Sequence, residues 1–103
     1  MRQISIEPIL RRLEFENDWR LRREFEIQWS GFRCRLDGYD DQRRIVVEVD
    51  EPFHNGPKYQ AKDSARMAQV IRLLSPSEVY RYSLEHNRLQ CVYRGFVILD
   101  WSV

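Results

Sequence analysis

The chain has 103 residues, 17 of them basic and 16 acidic, and a formal net charge of +1. That length suits one small domain spanning residues 1–103, and a hydrophobic content of 43% with 13% aromatic residues excludes a disordered chain. No apolar run approaches the roughly 18 residues of a membrane span, and no signal-peptide segment opens the chain, so an intracellular protein (cytoplasmic or nucleoid-associated) is expected.

In chain order, Ser5 is placed to cap a helix beginning near Ile6, with Pro8 tolerated in its first turn. Ile6, Ile9, Leu10 and Leu13 recur at helical spacing, and Glu7 suits the positive end of the helix dipole. Leu21 to Trp29 alternates as a strand, with Arg23, Phe25, Ile27 and Trp29 on one face, before a turn at Ser30-Gly31. In Phe32 to Asp37 the apolar face is Phe32, Cys34 and Leu36, and Arg33, Arg35 and Asp37 point the other way. Ile45 to Asp50 places Ile45, Val47 and Val49 on one face and Val46, Glu48 and Asp50 on the other.

The two strands around Gly38–Arg44 most simply form an antiparallel hairpin. A two-residue loop puts Asp37 opposite Val46, and a four-residue loop puts it opposite Glu48. Both registers preserve sidedness, so Asp37, Glu48 and Asp50 are expected on one face. A loop follows at Pro52–Pro57, then a helix from about Lys58 to Leu74. There Met67, Val70, Ile71 and Leu74 share an arc, with Ala61, Ala65 and Ala68 as a close-packing flank and Lys62, Arg66 and Gln69 on the polar side. Asp63 falls on the side that meets the sheet, where it either caps free amides, reaches the other carboxylates or orients Arg66. Ser75-Pro76-Ser77 stops the helix, and strands follow at 78–84, 89–93 and 96–101. The order predicts an α+β domain: a mixed sheet with a central hairpin, flanked by two helices.

Two ionised groups about 7 Å apart on one strand face are costly to bury unless a cation lies between them. Asp37 and Asp50 are candidate ligands for Mg²⁺ or Mn²⁺, and Glu48 is a further ligand or holds a bound water. His54, in the adjoining loop, is the best acid or base at neutral pH. Cys34 and Cys91 lack metal-ligand spacing. Lys58 and Lys62 are the only lysines, and the remaining cations are arginines, whose planar fork suits phosphate. The competing structural expectation is that the carboxylates pair with Arg33, Arg35 and Arg66.

Asp37, ten intervening residues and Glu48-Val49-Asp50 resemble the core of the PD-(D/E)XK nuclease superfamily, and His54, Asp63 and Arg66 resemble its very-short-patch-repair branch. Leu36 stands where proline is usual, Asp50 where the superfamily has lysine, and Glu51 where a small glycine is common. The resemblance covers roughly residues 5 to 84, with specific matches between 37 and 66. It implies a restriction-endonuclease-like core and metal-dependent hydrolysis of DNA, with RNA not excluded. The metal ligands it implies are Asp37, Glu48, the Val49 carbonyl and Asp50; His54 and Lys62 join the catalytic set, with Lys58 or Lys62 filling the space of the motif lysine. Arg33, Arg35, Lys58 and Arg66 would bind the nucleic acid, and Glu7 and Asp63 would support the site from behind. A degenerate module that binds nucleic acid or protein without cleaving is the alternative, and the size suits a homodimer or a subunit of a larger assembly.

Overall fold

The computed structural model describes residues 5–51, 57–95 and 97–98. It is an α+β fold with the elements α1 (Glu7–Asn17), β1 (Arg22–Trp29), β2 (Phe32–Asp40), β3 (Ile45–Asp50), α2 (Pro57–Leu74), β4 (Glu78–Ser83), β5 (Arg88–Arg94) and β6 (Val97–Ile98). The strands form one mixed sheet in sequence order, antiparallel except for the parallel β3–β4 pair that α2 connects. A parallel pair requires such a crossover, because a tight turn cannot return the chain to the same end of the sheet.

Each helix covers one face of the sheet. On the α1 side Leu10, Leu13, Trp19 and Leu21 bury Ile45, Val47, Val49 and Tyr82. On the α2 side Met67 and Val70 bury Cys34, Leu36, Val46, Val79 and Val92. The alternation of β3 thus sends its two residue sets to different cores, as its sequence predicts. No helix among the described residues is long and apolar enough to cross a membrane.

Several local features differ from expectation. The N-cap of α1 is Ile6, without a side-chain cap, so Ser5 does not hold that position. Helix α2 meets the sheet through its expected arc, with Met67 and Val70 buried and Ile71 and Leu74 packed against the core, but its flank is corrected: Ala61, Ala65 and Ala68 are exposed, and Arg66, expected on the polar side, reaches Glu48. At about 100° per residue the three alanines lie on the side away from Met67, whereas Asp63 and Arg66 border the buried arc and reach Arg81 and Glu48. Trp29, expected on the face of Phe25 and Ile27, stands 63% exposed at the hairpin tip.

The hairpin takes the four-residue loop, pairing Asp40 with Ile45 and Tyr39 with Val46. Buried Asp40 explains the choice. Its Oδ1 accepts from the amides of Gln42 and Arg43 at 3.0 and 2.9 Å, and its Oδ2 accepts from Arg20 at 2.9 Å. An aspartate that satisfies the loop amides fixes the turn around itself.

Candidate functional site

The site is built where β2 and β3 part. Their ladder stops at Gly38–Val47, although both strands continue. Beyond that point side chains replace the missing backbone partners. Asp37 donates its N–H to Glu48 Oε2 at 2.8 Å, and Val49 donates its N–H to Asp37 Oδ2 at 2.8 Å. Two carboxylates therefore lie in the seam, each satisfying an amide that an unbroken sheet would have paired.

The alternation also changes at this point. Leu36 belongs to the α2-side core, whereas Gly38 faces Leu21 on the α1 side, where an added Cβ would lie 3.2 Å from Leu21 Cδ1. Two even-numbered residues thus face opposite ways, with Asp37 between them. Across the ladder Glu24 has φ +48°, a left-handed value inside a strand, and it likewise reverses β1. Arg23 accordingly reaches α1 while Phe25 packs beneath α2, so the expectation that Arg23 and Phe25 share a face is corrected. The single shared face expected for Asp37, Glu48 and Asp50 is corrected as well. Asp37 opens onto the α1 side, and Glu48 and Asp50 reach α2-side arginines; the seam joins them.

On the α1 side Asp37 lines an open cleft of about 580 Å³ with Ser5, Ile6, Glu7, Leu10 and Arg35. Glu7 is engaged by Arg23 at 2.9 and 3.0 Å and by Arg11 at 3.1 Å, and the Arg23 bond above all holds its pKa down to about 2. Arg23 also forks onto Glu14 at 2.9 and 2.8 Å, so it fastens α1 to β1. Exposed Arg35 and Arg33 pair with Glu24 and Glu26 of β1 at 3.5 and 3.1 Å.

The α2 side holds a chain of alternating charges. Glu48, only 5% exposed, accepts from Arg66. Arg66 also donates to Asp63 at 2.9 Å, and the other Asp63 oxygen is in ion contact with Arg81. Arg81, 4% exposed, grips Asp50 with two bonds of 2.8 and 2.6 Å. Burial raises the Glu48 pKa against the pull of Arg66, and the Asp37 charge adds to the rise. Burial also opposes ionisation of Asp63, but Arg81 and Arg66 outweigh it and hold the pKa low. Arg66 stays charged because Glu48 and Asp63 outweigh its desolvation.

Lys58 and Lys62 lie exposed on α2, and the cation that meets Glu48 is Arg66. Cys34 is buried, with its Sγ 3.5 Å from Arg66 and its thiol pKa raised by burial. His54 lies outside the described residues. Two participants escaped sequence reasoning: Arg23, and Arg81 on β4. Parity with buried Val79 was the available signal for Arg81, since a charge on a core face requires a partner.

The donor set is all oxygen, which suits a hard cation. Both oxygens of Asp50 are committed to Arg81, those of Glu48 to the Asp37 amide and Arg66, and one of Asp37 to the Val49 amide. Among the described residues no three acidic, histidine or cysteine side chains converge as a ready cage. No known family model, curated protein or solved structure matches the chain.

Proposed function

We propose that the protein is a metal-dependent endonuclease that hydrolyses phosphodiester bonds in DNA, with Mg²⁺ or Mn²⁺ held by Asp37 and Glu48. The observation that carries this reading is the parted seam, where Asp37 and Glu48 each accept an amide across the strands and Asp37 lines a cleft of about 580 Å³. Desolvation and the Asp37 charge together disfavour ionised Glu48, and a divalent cation would relieve both. When bound, the ion supplies Lewis acidity at the phosphate and lowers the pKa of the attacking water. Asp37 and Glu48 fix it to two strands at once, and Arg35 at the rim of the cleft attracts the phosphodiester. His54, eligible by residue type, exchanges the proton with the nucleophile or leaving group.

Double- and single-stranded DNA and RNA incubated with each metal test the proposal. Cleavage should be lost in Asp37→Asn and Glu48→Gln with DNA binding retained, and His54→Ala should slow it by about 10²–10⁴-fold. A folded wild-type protein that cleaves none of these substrates in either metal refutes it. The Arg81 fork on Asp50 favours a second reading, a nuclease-like fold that binds nucleic acid or protein without cleaving, because it withdraws one carboxylate from the metal.

A further inference from the structure

We propose that the end of the sheet at which β3 and β4 begin binds the phosphodiester backbone of nucleic acid through Arg20, Arg22, Arg43, Arg44, Arg72 and Arg94. This surface lies at the other end of β3 from the seam and shares no residue with the seam or the cleft. It stands whether or not the seam cleaves.

Topology brings these arginines together. Strand β1 starts at Arg22, the β2–β3 loop carries Arg43 and Arg44, and β5 ends at Arg94, paired with Glu78 at the start of β4. Backbone contacts tie in the rest. The Arg20 amide donates to Asp40 of the loop at 2.9 Å. Arg44 donates to the Ser75 carbonyl just past the end of α2, whose last turn carries Arg72. Ser77 donates its amide to the Arg44 carbonyl at 2.8 Å and accepts from the Gly95 amide at 3.1 Å. In a sheet ordered from β1 to β6, four strand spacings of about 4.8 Å separate β1 from β5, so the arginines form a row roughly 19 Å long. All of them are exposed.

Their neighbours leave the row available. Arg22, Arg43 and Arg94 pair with Asp41, Asp18 and Glu78 at 2.8, 3.3 and 2.7 Å, through guanidinium groups that stay open to solvent. Such pairs contribute little and exchange readily. Asp40 is buried and directs both oxygens at backbone amides, with Arg43 farther off at 3.5 Å. Arg20 and Arg72 form no ion pair among the described residues, and Arg44 commits one nitrogen of its fork to Ser75.

The middle of the row is also held in place before any ligand arrives. Arg44 has φ +57°, a left-handed conformation that suits glycine or asparagine better than arginine. The Ser77 hydroxyl donates to the Arg43 carbonyl at 2.6 Å, and the Ser77 amide holds the Arg44 carbonyl. Asp40 fixes the same loop from inside, so Arg43 and Arg44 are presented on a fastened backbone.

A line of guanidinium forks matches a line of phosphates. Phosphates of one duplex strand recur about every 3.4 Å along the axis, so the row spans about five of them. Every cation in it is an arginine, whose planar fork grips two phosphate oxygens at once.

The test is fluorescence anisotropy of a fluorescein-labelled DNA duplex titrated with the full chain in EDTA, over a series of salt concentrations. For wild type, log K should fall with log salt at a slope of about −4 to −5, alike for unrelated sequences. Arg20→Gln combined with Arg72→Gln should flatten that slope by about 2 and weaken binding more than about tenfold near about 0.1 M salt. An unchanged slope and affinity in the double variant, folded by circular dichroism, overturn the proposal, as does a wild type that binds no duplex at low salt. Wild type that binds phosphatidylserine vesicles but not the duplex overturns it in favour of a lipid surface. If the double variant does not fold, Arg72→Gln alone reads the same slope, with an expected shift of about 1. Because the assay holds no free metal, failure to cleave DNA leaves the row standing, and failure of the row leaves the reading of the seam standing.

Discussion

Arg23 and Arg81 are both arginines shared between two acids, yet their surroundings differ. Arg23 holds Glu7 and Glu14 at the partly open α1 edge, and Arg81 holds Asp50 and Asp63 in the interior. Glu7 titrates at about 2 in the fold, against an ordinary 4.5, chiefly through its Arg23 bond. Its folded pKa is the lower one, so its contribution to stability is present above pH 4.5 and is lost as pH falls towards 2. Carboxyl NMR should find that midpoint near 2 and return it towards 4.5 in Arg23→Gln; an unchanged midpoint would contradict the fork geometry. Arg81→Met should cost about 3–5 kcal/mol in urea unfolding, because it leaves two carboxylates in the interior without their cation. A loss below about 1 kcal/mol would mean that the network is solvated.

At the level of elements, α2 distinguishes what periodicity reveals from what it hides. Met67 and Val70, read from the sequence as core, are fully buried. The alanine flank was misplaced because at about 100° per residue Ala61, Ala65 and Ala68 lie on the side away from Met67, whereas Asp63 and Arg66 border the arc and are fixed by distant partners. Two substitutions check this setting of the helix. Met67→Ala should cost about 2–5 kcal/mol through the cavity it leaves, and Ala65→Arg should stay within about 0.5 kcal/mol on its exposed face. If Ala65→Arg unfolds the protein instead, α2 packs its alanine flank against the sheet. The central hairpin was legible as a hairpin, with its register open between two loops. The deciding group, Asp40, acts through backbone amides of its own loop and of Arg20, and such contacts leave no periodic trace. The reversal at Glu24 and Asp37 was hidden for the same reason: a single left-handed residue undoes alternation without changing composition.

For the molecule as a whole, the seam links site occupancy to folding. Three carboxylates (Glu48, Asp50 and Asp63) share two guanidinium groups, those of Arg66 and Arg81, across β3, α2 and β4, and Asp37 of β2 adjoins Glu48 through the seam. A cation at the seam would therefore join the hairpin to the parallel pair, and global unfolding would have to release it. Binding to the folded state alone adds about 2.7 kcal/mol at a metal concentration one hundred times Kd. For a domain of this size each kcal/mol moves the melting temperature by roughly 4–8 °C, so saturating Mn²⁺ should raise Tm by about 10–20 °C. In Asp37→Asn the metal-free Tm should rise, since a like charge is removed from beside Glu48, and most of the response to Mn²⁺ should disappear. A network already neutralised by its arginines behaves in the opposite way. Wild type would then melt at the same temperature with and without Mn²⁺, and Asp37→Asn would melt lower because Val49 keeps a poorer acceptor for its amide. Thermal melts of the two proteins, each with and without Mn²⁺, separate these outcomes, and the second pattern would leave the fold as a binding module.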